Sequence, residues 1–103
     1  MMLVTEIYNA LKQAQLVSTL EEYSTQWLNK HKTTASYLIH KKRDLSLISK
    51  LNCIKNIKNK INEIENGNEL TKSIHNQTLI NLKNLQNQIQ NIIHNELNIE
   101  AII

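Results

Sequence analysis

No proline occurs in the 103 residues, and Gly67 is the single glycine. Tight turns between strands draw heavily on both: glycine supplies positive φ, and proline presets the first turn position. A sheet fold of this length needs several such turns. Their absence, together with abundant Leu, Lys, Gln and Glu, points to helices. The fold class predicted is therefore all-α. The length allows one compact domain, or a small domain with an extension. An apolar content of 41% supports a modest core, and a chain this short leaves much of its surface wet unless it oligomerises.

Several functional classes fall away. The single cysteine, Cys53, can form neither an internal disulfide nor a thiolate metal site by itself, and reads as a small buried apolar residue. His31, His40, His75 and His94 are widely spaced, with no i, i+4 pair to chelate a metal, so no metal and no cofactor are expected. A glycine-rich phosphate loop is impossible with one glycine. No nucleophile–base–acid series stands out, so a binding protein is expected rather than an enzyme. The start, MMLVTEIYNALK, lacks the basic region and apolar run of a signal peptide. No segment approaches about 18 unbroken apolar residues, so a cytoplasmic, nucleoid-associated protein is expected and no membrane partner. Asn and Ile occur 15 times each, and 11 of the 12 cations are lysine. All have A/T-rich codons, which suggests an A/T-rich bacterial or phage genome.

Charge is unevenly spread. Residues 1–53 carry seven basic and four acidic side chains, whereas residues 54–103 carry five of each. Between positions 30 and 43 there are five cations, two histidines and no anion. A local field of one sign suits a polyanion such as nucleic acid, although a solvated basic face would look alike.

Periodicity orders the elements. Leu3, Ile7, Leu11 and Ala14 form one face of a helix predicted over 3–15. Ser18 and Glu21 have the spacing of a capping box, which starts a second helix at Thr19 with Leu20, Tyr23, Trp27 and Leu28 inward. Asn29 can end it in a left-handed conformation. Thr33 or Thr34 can cap a third helix ending in His40-Lys41-Lys42-Arg43, where cations complement the helix dipole. Asp44 or Ser46 can cap a fourth, with a heptad-like, coiled-coil-type seam at Leu47, Leu51, Ile54, Ile57, Ile61 and Ile64 beside Ile48. Asn66-Gly67-Asn68 is the clearest turn. Asn68 can cap a last helix of nearly thirty residues, with an apolar stripe at Leu70, Ile74, Leu82, Leu85, Ile89, Ile92, Ile93 and Leu97. The predicted organisation is an N-terminal helical bundle over 1–53 and a long antiparallel helical hairpin over 54–103.

The stretch TLEEYSTQWLNKHKTTASYLIHKKRDLSLISKL, residues 19–51, resembles the Cro/repressor type of helix-turn-helix domain. It is also similar to small uncharacterised bacterial helix-turn-helix-like proteins with a W-L-G-like step after the first motif helix. Glu22-Tyr23-Ser24 matches glutamate, an apolar residue and alanine. Trp27-Leu28-Asn29 matches the end of the first motif helix, and Leu38 a buried recognition-helix position. His40–Asp44 stands at the basic loop, and Leu47 and Leu51 in the supporting helix. Asn29 replaces the turn glycine, the loop proline is absent, and the spacing from Ser24 to the next helix is one residue longer.

The resemblance implies a small, usually dimeric DNA-binding transcription regulator. It would place the third helix in the major groove, where base edges are read, with cations on phosphates. The residues expected at double-stranded DNA are Lys30, Lys32, Thr33, Thr34, Ser36, Tyr37, His40, Lys41, Lys42 and Arg43. Tyr37 could meet a phosphate or a thymine methyl, or serve as a core or rim aromatic. Leu82, Leu85, Ile89, Ile92, Ile93, Leu97 and Ile102 form the expected interface of a homodimer or a protein partner. The competing reading is a protein-interaction module, such as a mobile-element or phage inhibitor or an antitoxin-like partner, working through the C-terminal helices without DNA.

Overall fold

The structure is a computed structural model that describes residues 3–102, and side-chain exposure for all of these except 71 and 98–102. The fold is all-α, with no strand among the described residues. In order, the elements are α1 (Leu3–Gln13), α2 (Leu20–Glu22) continuing into a π-helical turn (Tyr23–Trp27), α3 (Thr34–His40), α4 (Leu47–Glu65), α5 (Glu69–Ile74) and α6 (Asn76–Ile102). Two compact units are defined, 1–56 and 57–103. The boundary lies inside α4, three residues beyond the one read from the change in charge.

The N-terminal unit is built on Leu3, Val4, Ile7 and Leu11 of α1, with Val17, Tyr23, Trp27, Leu28, Ala35, Leu45 and Cys53, all buried. Ala14 lies past the end of α1 and is half-buried. The helix closes instead through Gln15, whose φ of 61° lets Leu16 N–H reach Leu11 O and Gln15 N–H reach Lys12 O.

The capping box sits one residue later than its spacing suggested. Thr19 is the N-cap, its hydroxyl accepting from Glu22 N–H at 3.1 Å. Glu22 turns back to accept from the Ser18 N–H and hydroxyl. Of the two candidate caps for α4, Ser46 serves, accepting from Ser49 N–H at 3.2 Å. The expected seam is displaced at the start of α4: Leu45, Ser49, Lys50 and Cys53 are buried, whereas Leu47 is half-buried and Ile48 and Leu51 are exposed. Hydrophobicity alone misplaced this face, because the inward positions include a serine and a lysine.

In the C-terminal unit, Ile57, Ile61 and Ile64 of α4 and Leu82, Leu85, Ile89 and Ile93 of α6 are buried. The two segments run antiparallel, with Lys83 of α6 pairing with Glu65 at the end of α4 at 3.3 Å. The long last helix is interrupted at His75, and Leu70 and Ile74 on the short α5 are exposed, outside the buried stripe. Gly67 follows α4 without a positive φ; its N–H bonds Ile64 O.

Candidate nucleic-acid interface

Ser24 fixes how closely the second and third helical segments approach. It is fully buried, its hydroxyl donates to Leu20 O at 2.9 Å, and the same oxygen accepts from Ala35 N–H at 2.9 Å. Ala35 is fully buried too. Two small residues thus meet where the segments cross, and the serine satisfies a backbone donor in the first turn of α3 that would otherwise lack a partner.

The second helical segment changes its hydrogen-bond pattern after Glu22. Tyr23–Trp27 is π-helical, and Leu28 N–H bonds Tyr23 O, five residues back. A π-turn closes over one more residue than an α-turn, so it absorbs an extra residue without unwinding the segment. Asn29 then takes φ 55° and Lys30 N–H reaches back to Ser24 O. The carbonyls left open at this end are covered by α4: Asn52 donates to Leu28 O at 3.0 Å, and Asn56 to Trp27 O at 2.9 Å. Asn56 also donates to Asn29 Oδ1 at 3.1 Å. The turn into α3 is therefore anchored on both sides.

The turn itself is local. Thr34 N–H bonds His31 O, Thr33 N–H donates to His31 Nδ1 at 3.3 Å, and Thr33 Oγ1 lies 3.0 Å from the same nitrogen. Thr33 is the N-cap of α3, but its side chain makes no capping bond. Along α3, Ala35 is buried and Leu38 and Ile39 are half-buried. Thr33, Ser36, Tyr37 and His40 are exposed at i, i+3, i+4 and i+7, which is one face of a helix. At the exit, Lys42 takes φ 55°, Lys42 N–H bonds Ile39 O and Arg43 N–H bonds Leu38 O at 2.8 Å. This left-handed closure presents Lys41, Lys42 and Arg43 in succession, all exposed.

Of the residues expected at DNA, Lys30, Lys32, Thr33, Ser36, Tyr37, His40, Lys41, Lys42 and Arg43 are exposed and Thr34 is half-buried. The first anion after the basic run, Asp44, is engaged elsewhere. Its carboxylate accepts from Leu3 N–H at 3.0 Å and Val4 N–H at 2.9 Å, and from Leu45 N–H at 2.9 Å. It caps α1 from forty residues away, where a negative charge is favoured by the helix dipole. Tyr23 completes this joint, its buried hydroxyl donating to Val4 O at 2.9 Å. Burial, with the Cys53 and Asp44 charges adding to it, drives the Tyr23 phenol far above its ordinary range. Burial likewise pushes the Cys53 thiol up to about 12. Both groups remain neutral at physiological pH and act as packing and hydrogen-bonding parts.

A family model matches residues 4–101 of this sequence. The chain belongs to the family of unknown function DUF6626. No curated protein and no solved structure matches it. The DUF6626 match spans nearly all of α1 to α6, so both units belong to the family's common extent.

The stripe expected to join two copies is largely consumed within this DUF6626 chain. Leu82, Leu85, Ile89 and Ile93 are buried in the single chain; Ile92 is half-buried and Leu97 exposed. The side chain of Ile102 lies outside the described residues. Making this stripe polar would therefore damage the fold before it reported on any partner. An open cleft of about 410 Å³ between α4 and α6, lined by Lys58, Asn62, Glu65, Lys83, Gln86 and Asn87 with Ile61, carries both signs of charge and no nucleophile–base pair. Among the described residues, no group of His, Cys, Asp or Glu could hold a metal ion, and no helix is long and apolar enough to cross a membrane.

Sequence reasoning missed the roles of Asp44, Asn52 and Asn56. Asp44 was visible only as a local cap, because a cap supplied from forty residues away has no spacing signature.

Proposed function

We propose that the N-terminal unit binds double-stranded DNA, with the outward face of α3 in the major groove and the cations at its two ends on the phosphates. The observation that carries this reading is the set of five exposed cations between 30 and 43, with no anion among them, mounted about a helix whose crossing is set by the Ser24–Ala35 hydrogen bond. A groove admits one helix, and a helix that enters it needs a rigid neighbour and positive charge on either side. The protein acts by binding rather than by catalysis, as a small transcriptional regulator in the cytoplasm. With the α6 stripe buried within the chain, a homodimer would need another surface.

The test is fluorescence anisotropy of a labelled duplex at two salt concentrations. Replacing Lys41, Lys42 and Arg43 with alanine should weaken binding to all duplexes alike. It should also flatten the log–log salt dependence by about one unit for each phosphate no longer neutralised. An unchanged slope would overturn the reading.

A protein-interaction role has one specific observation in its favour: Leu70 and Ile74, one turn apart on α5, are 70% and 69% exposed. It predicts that making these two residues polar abolishes function, while the alanine triple variant remains active.

A further inference from the structure

The outward face of α3 is composed of Thr33, Ser36, Tyr37 and His40. It carries no arginine to fork onto guanine O6 and N7, and no asparagine or glutamine to pair with adenine N6 and N7. Serine and threonine hydroxyls serve as donor or acceptor and discriminate little among bases. What the face does carry is one large apolar surface. Tyr37 stands at the fourth position of α3, is 50% exposed, and makes no side-chain hydrogen bond among the described residues. The one base-edge group in the major groove that an apolar side chain can recognise is the C5 methyl of thymine.

We propose, resting on the DNA-binding reading above, that this protein selects thymine-rich duplexes by packing the Tyr37 ring against thymine methyl groups. Affinity comes mainly from Lys30, Lys32, Lys41, Lys42 and Arg43 on the phosphates. Such a site has a steep salt dependence and a low specificity ratio, because apolar packing on a methyl discriminates weakly compared with a bidentate hydrogen-bonded pair. The ring, not the phenolic hydroxyl, is the part that reads.

The experiment uses three duplexes of one length: alternating A·T, the same duplex with every thymine replaced by deoxyuridine, and alternating G·C. Deoxyuridine pairs as thymine does but lacks the methyl. The protein should bind the thymine duplex about three- to fivefold more tightly than the deoxyuridine duplex for each methyl buried. Tyr37→Ala should equalise the two while leaving the salt slope unchanged. Tyr37→Phe should keep the discrimination, whereas a hydroxyl–phosphate bond would instead make it weaken both duplexes equally. The exposure of Tyr37 makes both variants fold-neutral, and thermal melting by circular dichroism checks this.

Equal binding of the thymine and deoxyuridine duplexes by the unaltered protein would overturn the proposal while leaving DNA binding intact. Preference for G·C would likewise overturn it. Binding to no duplex at low salt would overturn the DNA-binding reading and the proposal with it.

Discussion

The two units of this chain are stabilised by different kinds of interaction. In residues 1–56, single polar atoms tie together segments far apart in sequence. Asp44 holds the first N–H groups of α1, Tyr23 reaches Val4 O, Ser24 reaches Ala35, and Asn52 and Asn56 close the turn after Trp27. In residues 57–103 the spine is an isoleucine and leucine stripe. The polar pairs seen there are exposed: Lys60–Glu63 and Gln77–Asn81 are three or four residues apart, and Lys83–Glu65 joins the two helices at their surface. Apolar burial is non-directional and sets how much a unit is stabilised, whereas hydrogen bonds to buried backbone set where a helix may lie. The unit proposed to enter a DNA groove is the one whose helix positions are specified atom by atom.

The largest effect should come from the apolar spine. Ile89 is fully buried, and Ile89→Ala is expected to cost about 2–5 kcal/mol, from the transfer energy forgone and the cavity left behind. Urea unfolding measures the cost, and amide hydrogen exchange should show α6 opening first. In the same unit Gln77→Ala should stay within about 0.5 kcal/mol, because its bond to Asn81 is exposed. A large loss from Gln77→Ala would break the contrast between the units.

The N-terminal unit should respond to one carboxylate. Asp44→Ala strands two N–H groups of α1, and a loss of about 2–3 kcal/mol is expected. Asp44→Asn retains one acceptor oxygen and should recover part of it. Ser24→Ala should cost about 1–2 kcal/mol by leaving the Ala35 N–H without its acceptor, despite alanine being the smaller side chain. If these changes cost no more than exposed substitutions, the N-terminal anchors would be ornaments on an apolar core.

Alkaline pH probes the same joint without mutation. Cys53 and Tyr23 both have folded-state values raised above their ordinary 9.0 and 10.0. The folded state therefore holds protons that the unfolded chain releases. The stability contributed by Cys53 is complete below about pH 9 and that by Tyr23 below about pH 10; above those points each falls by on the order of 1.4 kcal/mol per pH unit toward its folded-state value. Tyr23→Phe and Cys53→Ala should each flatten the alkaline limb of a melting-temperature profile. An unaltered limb in both variants would mean that the unit opens by another route.

The all-helical fold was legible because proline and glycine are nearly absent, and the α6 stripe because its apolar residues recur at helical spacing. The N-terminal half of α4 was not, since Ser49 and Lys50 lie inward while Ile48 and Leu51 face out. Periodicity arguments assume that polarity marks the surface, and a face supplied with buried partners violates that assumption. The exposed cations of 30–43 were found because a charge run needs no tertiary information. The anchors that aim them, Asp44 and Asn56, act across distances for which sequence spacing is silent.

The smallest expected effect separates stability from binding at one residue. Lys42 ends α3 with φ 55°, a conformation that costs a lysine about 1 kcal/mol relative to glycine, which lacks Cβ. Lys42→Gly should therefore stabilise the N-terminal unit by about 0.5–1 kcal/mol, read as a rise of several degrees in melting temperature. It also removes one of the five cations between 30 and 43. On the DNA-binding reading the more stable variant binds more weakly, with a salt slope lower by about one unit. Gln15→Gly is the control. It relieves a left-handed position at φ 61° at the end of α1, removes no charge, and should leave the slope unchanged. A Lys42→Gly protein that is both more stable and undiminished in DNA affinity would remove this cation from the phosphate-binding set and confine that set to Lys30, Lys32, Lys41 and Arg43.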